Sequence, residues 1–291
     1  MFWLKYYVTS KVMSPRTSRR SVLRISLPGS QAIARADLLA TEEPLGIRVG
    51  GQALTLTMRT PGDDLDLAAG FLVSEGIVRR AADVARIRIC AAGSCGHGDH
   101  DGDGTVADVE LSPEIPVSPA LRRNFLTTSA CGVCGKASIQ QLSVQSGCDL
   151  NADRVRVRPD VLAELPERLR AAQRVFSSTG GLHAAGVFDA DGRLLCARED
   201  VGRHNAVDKV VGWALREGRL PLAGCVLLVS GRASFELVQK AVLGGIPVLA
   251  AVSAPSSLAA ELAQEAGLTL VGFLRGRSMN VYTGAGRVAV G

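Results

Sequence analysis

The pattern of apolar and polar positions changes character partway along the 291-residue chain. Between residues 43 and 60 apolar side chains recur at every second position. Leu45, Ile47 and Val49 form one set and Leu54, Leu56 and Met58 the other, with Gly50-Gly51 between them. A period of two broken by a double glycine predicts a β-hairpin. Residues 63–76 predict a helix, with Asp63 placed as its cap and Gly76 as its stop. Residues 86–90 and 105–111 predict a second strand pair. Beyond residue 159 helices and short apolar strands alternate. Helices are predicted over 159–174, 205–217, 235–243 and 256–266, and strands over 226–230, 248–251 and 269–274. A hairpin joins 181–188 to 194–196 about the turn at 189–192. Such alternation predicts a parallel or mixed sheet covered on both faces. The expected fold class is α/β, with α+β elements in the N-terminal part. Residues 1–24 are expected as a disordered basic tail, 25–125 as a smaller β-rich subdomain, and 126–291 as the α/β domain.

Composition agrees with a large core: 47% of residues are hydrophobic and only 4% aromatic, a mixture suited to close helix–sheet packing. No apolar run approaches the length of a membrane span. The formal charge of +5 is concentrated at one end. Lys5, Lys11, Arg16, Arg19, Arg20 and Arg24 precede any acid, and setting these six aside leaves 27 basic against 28 acidic residues. A near-neutral body argues against a general nucleic-acid binder. Ser18-Arg19-Arg20 is superficially like a twin-arginine export signal, but the residues after it are too polar for the apolar region such a signal requires. Seven cysteines at irregular spacing fit a reducing compartment with a few reactive thiols, and a cytoplasmic location is expected.

The densest chemistry is Ser129-Ala130-Cys131-Gly132-Val133-Cys134-Gly135-Lys136. Residues 136–142 read as the start of a helix, with Thr128 and Ser129 placed to cap it. Unpaired N–H groups and Lys136 both favour thiolate over thiol, and thiolate is the nucleophile. Taken alone, the C-x-x-C admits a zinc half-site, a redox disulfide, a plain turn or sulfur transfer. Residues 99–110 fit the spacing of a calcium-binding EF-hand loop, but strand patterns flank them where helices are required, so a polar hairpin loop is expected and no metal site.

Further polar clusters follow the predicted strands, where open α/β sheets place ligands. Ser178-Thr179-Gly180-Gly181-Leu182-His183 is a glycine-rich turn. Glu199-Asp200-Val201-Gly202-Arg203-His204-Asn205 packs acid, base, imidazole and amide into one stretch. Ser230-Gly231-Arg232-Ala233-Ser234 and Phe273-Leu274-Arg275-Gly276-Arg277-Ser278 supply arginines beside glycines. Together these loops predict a basic, phosphate-binding cleft.

These motifs, in this order over roughly residues 40–285, resemble the formate dehydrogenase accessory sulfurtransferases, the FdhD family. The resemblance implies a cytidine deaminase-like α/β domain and a homodimer. It implies that persulfide sulfur is accepted from a cysteine desulfurase and passed to the molybdenum cofactor, bis-molybdopterin guanine dinucleotide, before insertion into formate dehydrogenase. Cys131 would carry the persulfide and Cys134 assist. Arg232, Arg275 and Arg277 would hold pyrophosphate, within a 273–278 loop that also includes Phe273, Leu274, Gly276 and Ser278. Asp200 would read guanine, and His183 and His204 would line the path to molybdenum. The deaminase likeness concerns fold alone, because the chain has no His-x-Glu and Ala130 stands where deaminases have proline. Two rivals remain on the residues themselves: a thiol–disulfide oxidoreductase, or a zinc-binding structural module, each using Cys131 and Cys134.

Overall fold

The computed structural model describes residues 5–8, 14–28, 31–91, 104–115 and 147–290. Cys131, Cys134 and the acidic loop at 99–103 lie outside them. The first sheet has the order β1-β6-β7-β4-β5. Its strands are β1 (Lys5–Val8), β4 (Glu43–Val49), β5 (Gln52–Arg59), β6 (Val84–Ala91) and β7 (Thr105–Leu111). β4 and β5 form the expected hairpin. Gly50 and Gly51 sit at φ 58° and 77°, the two left-handed positions of a type I′ turn, which glycine alone adopts without steric cost. β6 and β7 are the second expected pair and run antiparallel. Strands therefore border the acidic loop, and Glu110 is spent on an ion pair with Arg86.

The second sheet has the order β13-β12-β11-β10-β8-β9. β8 (His183–Phe188) and β9 (Leu194–Asp200) form a hairpin. β10 (Val226–Val229), β11 (Val248–Ala251) and β12 (Thr269–Arg275) are mutually parallel, and β13 (Ser278–Thr283) returns antiparallel at the edge. The helices among the described residues are α1 (Asp64–Ser74), α2 (Pro159–Ala172), α3 (Arg174–Thr179), α4 (Arg203–Arg216), α5 (Phe235–Leu243) and α6 (Ser257–Glu265). The continuous apolar runs of the strands are explained by burial on both sides. Val226, Leu228, Val248 and Ala250 pack on Leu162, Leu165 and Leu169 of α2. Their neighbours Leu227, Val229, Leu249 and Ala251 belong to a second apolar cluster. That cluster takes in α4, α5 and α6, passes through Leu67 and Leu72 of α1, and ends on Leu45, Ile47, Ile87 and Val109 of the first sheet.

The two sheets are joined where α1 crosses α4. A Cβ on Gly70 would lie 1.7 Å from the Asp208 carbonyl oxygen, and one on Gly212 would lie 1.8 Å from that of Asp66. The backbones touch, and the pairing of 66 with 212 and 70 with 208 makes the helices antiparallel. Polar clasps flank the crossing. Ser74 Oγ donates to Asp208 at 2.5 Å, Lys240 Nζ reaches the same carboxylate at 2.7 Å, and Arg198 and Arg216 both hold Asp66.

Two expectations need correction, and two elements go beyond those the pattern predicts. Residues 5–8 and 17–24, read as disordered tail, lie in strands: β1 pairs with β6, and β2 (Thr17–Ser26) pairs over its whole length with β3 (Gln31–Ala40). Neither β2 nor β3 has an apolar face convincing by itself; the pairing sets Leu23 opposite Ala34, Ile25 opposite Ala32 and Arg20 opposite Asp37, which a reading of either segment alone misses. Asp63 precedes α1 but its side chain caps nothing, because its carboxylate is held by Arg16 at 2.7 Å. Finally, α3 and β13 were not expected.

Candidate functional site

Strand direction collects the candidate loops. β10, β11 and β12 are parallel, so the segments after them leave from one edge. β8 runs against β10 and brings His183 to that edge. β9 runs against β8 and ends there at Asp200, and β13 starts there at Ser278. Backbone bonds lace the loops together: Ser253 N–H donates to Gly231 O at 3.2 Å, Ala233 N–H to Ala254 O at 3.2 Å, and Phe273 N–H to Ser253 O at 3.1 Å. The predicted cluster of His183, Asp200, His204, Arg232 and residues 273–278 is thus one edge of one sheet.

Within it the side chains divide. Asp200 is fully buried. One of its oxygens accepts from Lys209 Nζ at 2.7 Å and Thr60 N–H at 3.1 Å, the other from Gly202 N–H at 2.8 Å and Asn205 Nδ2 at 3.0 Å. With both oxygens engaged away from solvent, its geometry is that of an internal strut and not of a guanine reader. Leu274 is likewise fully buried in the core, so its side chain is unavailable to a ligand. Glu199 accepts from the N–H groups of Val175 and Phe176 at 3.0 and 2.7 Å and pins α3 to the end of β9.

His183 lies beside Arg203 and His204. Burial, then the Arg203 guanidinium and the His204 imidazole, hold it below its ordinary 6.5, against a smaller opposing pull from Asp200. His183 is therefore expected to be neutral at pH 7. Because the unfolded chain binds this proton more tightly, His183 should cost stability as pH falls below about 6.5; NMR titration of its ring protons checks the sign. His204 Nε2 lies 2.5 Å from Glu236 and 3.4 Å from Ser234 Oγ, tying the start of α4 to that of α5. The His204 hydrogen bond holds the Glu236 carboxyl below its usual range.

The rim is basic. Arg232 and residues 275–278 are exposed. Arg275 Nε donates to Val252 O at 2.9 Å, and its guanidinium lies over the Phe273 ring at 5.6 Å. Part of its fork is thus already used, whereas Arg232 and Arg277 form no hydrogen bond or ion pair among the described residues. Phe273 sits at φ 50°, at a break in the β12–β13 register, a conformation rare for an aromatic residue and typical of positions where strain serves a site. Gly276 makes the tip of this hairpin at φ 54°. Next to the edge, on the α2 side, opens a cavity of about 560 Å³ lined by Leu169, Arg170, Phe176, His183, Ser230 and Val252 among others. Arg170 stacks on Phe176 at 4.0 Å. A volume of this size suits a nucleotide-sized ligand. No local sequence signal marks Arg170 or Phe176, because nothing in the segment announces that α3 folds back onto the edge.

Cys148, Cys196 and Cys225 are reduced thiols that form no disulfide. Burial raises all three, Cys196 to about 12, so none is prepared as a nucleophile. Among the described residues no group of three or more His, Cys, Asp or Glu side chains could hold a metal ion, and no helix is long and apolar enough to cross a membrane.

Residues 40–289 match the model of the FdhD/NarQ family. The chain is 58% identical over 274 residues to the sulfur carrier protein FdhD of Nocardia farcinica, covering 94% of this chain and 95% of that protein. It is 41% identical over 279 residues to the protein of the same name from Saccharolobus solfataricus, covering 95% of this chain and all of that one. The solved structure of a formate dehydrogenase accessory protein from Desulfotalea psychrophila superposes with a TM-score of 0.73 at 24% identity, covering 94% of this chain and 100% of that one. This likeness is one of fold.

Proposed function

We propose, starting from the fact that this chain belongs to the FdhD/NarQ family, that it is a sulfur carrier in formate dehydrogenase maturation. The near full-length likeness to sulfur carrier proteins carries this reading. Cys131 takes up sulfur from a cysteine desulfurase. Its thiolate attacks the outer sulfur of the donor's persulfide, a new S–S bond forms on Cys131, the donor's S–S bond breaks, and the donor leaves as thiolate. Release uses Cys134: its thiolate attacks the inner sulfur of the Cys131 persulfide and forms the Cys131–Cys134 disulfide. The outer sulfur departs as hydrosulfide, both electrons coming from the cysteine pair, and a cellular thiol reductant resets the carrier.

The acceptor is the molybdenum cofactor carrying two guanine dinucleotides, bound as substrate at the basic strand edge. Arg232 and Arg277 hold pyrophosphate oxygens, with Arg275 contributing what its bond to Val252 leaves free. His183, neutral at working pH, accepts protons along the path, and His204 is held beside it. The α/β half is taken to be related to cytidine deaminases in fold, and the protein to work as a homodimer in the cytoplasm with the desulfurase and formate dehydrogenase as partners. The supporting geometry is the convergence of the loops after β9, β10 and β12 at one edge.

The test combines mass spectrometry with calorimetry. After incubation with a desulfurase and cysteine, wild type should gain one sulfur, and Cys131→Ala should gain none and fail to mature formate dehydrogenase. Arg277→Ala should load sulfur normally yet bind GDP about tenfold or more weakly. A persulfide that persists on Cys134 in Cys131→Ala would reverse the roles of the two thiols.

A further inference from the structure

We propose that Arg203 is the inner anion-binding residue of the strand edge, and that the anion it binds is a phosphoryl group. Arg203 is the first residue of α4. Its guanidinium forms no hydrogen bond or ion pair among the described residues, and its Nε is closed off from solvent with no acceptor. A buried donor left without a partner is costly; Arg86, Arg88, Arg216 and Arg287 share a buried unpaired Nε, but each is bonded through another guanidinium nitrogen, whereas Arg203, among the described residues, is not. Of the nearby carboxylates, Asp200 is engaged by Lys209, and Glu236, in the first turn of α5, is hydrogen-bonded to His204.

The location makes the surplus of positive charge sharper. The first turn of a helix favours acids, because the N–H ends of its peptide dipoles point there. The first turn of α4 holds no acid and begins with an arginine, and its cap is Gly202, which has no side chain to satisfy the free N–H groups. α5 begins alongside, tied on through His204 and Glu236. The side chain of its own cap, Ser234, makes no capping bond, and exposed Arg232 lies two residues before it. Two arginines and two helix starts therefore share one edge. A carboxylate offers a single charge to this arrangement. A phosphoryl group offers up to two charges and three acceptor oxygens, and it matches both the guanidinium fork and the converging N–H groups. This inference rests on the reading that the edge receives a guanine dinucleotide, and it assigns the phosphoryl contact to a residue outside the 273–278 loop.

His183 supplies the readout. Burial, then Arg203 and His204, keep its imidazole neutral against the smaller pull of Asp200. An anion seated on Arg203 should cancel that residue's influence and raise the His183 pKa. The experiment follows the His183 ring by NMR in the full chain, assigned with His183→Gln, while phosphate, pyrophosphate or GDP is added to wild type, Arg203→Gln and Arg203→Lys. In wild type, pyrophosphate and GDP should raise the His183 pKa. In Arg203→Gln the pKa should start higher and no longer respond, and pyrophosphate should bind about tenfold or more weakly. Arg203→Lys, which keeps the charge without the fork, should respond at reduced affinity. Circular dichroism confirms that the variants fold. Equal pyrophosphate affinity and an equal His183 response in wild type and Arg203→Gln would overturn the proposal. If GDP binding is also undiminished there, the nucleotide reading stands without Arg203. If pyrophosphate binds through Arg203 and GDP binds no better, the anion site stands and the guanine reading fails.

Discussion

Asp200→Ala is expected to lower stability by about 3–5 kcal/mol, the range for breaking a buried ion pair from one side. The carboxylate and the Lys209 ammonium are both buried and 2.7 Å apart. Removing the acid leaves a cation in the interior, where its other contacts are the carbonyl oxygens of Thr60 and Glu199 at 2.9 and 3.4 Å. It also strips acceptors from the N–H groups of Thr60 and Gly202 and from the Asn205 amide. Thr60 is buried, so its N–H would be left unsatisfied out of reach of water. Lys209→Met should be damaging for the reciprocal reason. The double variant Asp200→Asn with Lys209→Met should recover part of the loss, since neither charge then remains. Urea unfolding of the four proteins decides the matter. A wild-type midpoint for Asp200→Ala would remove the strut and reopen a ligand role for this residue.

Gly70→Ala should be nearly as severe. The new methyl carbon would meet the Asp208 carbonyl oxygen at 1.7 Å and its carbonyl carbon at 2.5 Å. These are backbone atoms of α4, so relief requires the helices to part by more than an ångström. Parting them loosens Ser74 from Asp208 and Arg216 from Asp66. Overpacking usually costs 1–3 kcal/mol, and a rigid backbone on both sides argues for at least about 3 kcal/mol here. Gly286→Ala is the control, since a Cβ there meets nothing within 4 Å. If both substitutions leave the unfolding midpoint in place, the close crossing is wrong.

What could be read from the sequence follows from how local the determining forces are. The strands β10, β11 and β12 were legible because burial on both faces forces an unbroken apolar run. The loops after them were legible because a parallel sheet sends every strand end to the same side. The β2–β3 ribbon was not, since neither strand has a convincing pattern without the other across the turn. Asp200 is legible as chemically loaded, but its structural task is not. Its partners come from residues 60, 202, 205 and 209, and Thr60, the distant one, carries no signal near residue 200. Arg203 lies inside the 199–205 motif, and its role there is less visible than that of its neighbours. The available sign was an arginine at a helix start with no acid in the first turn, a local rule broken without visible compensation.

The crossing of α1 over α4 also sets a schedule for synthesis. α1 is complete at residue 74, but the backbone it packs against is not translated until residues 208–212, and Asp66 must wait for Arg198 and Arg216. Until then a nascent chain carries Leu67 and Leu72 uncovered, above a sheet whose apolar face has nothing to rest on. The N-terminal half therefore cannot finish folding while the rest is still within the ribosome. Over that interval it presents the exposed apolar surface that chaperones recognise and that drives aggregation when they are scarce.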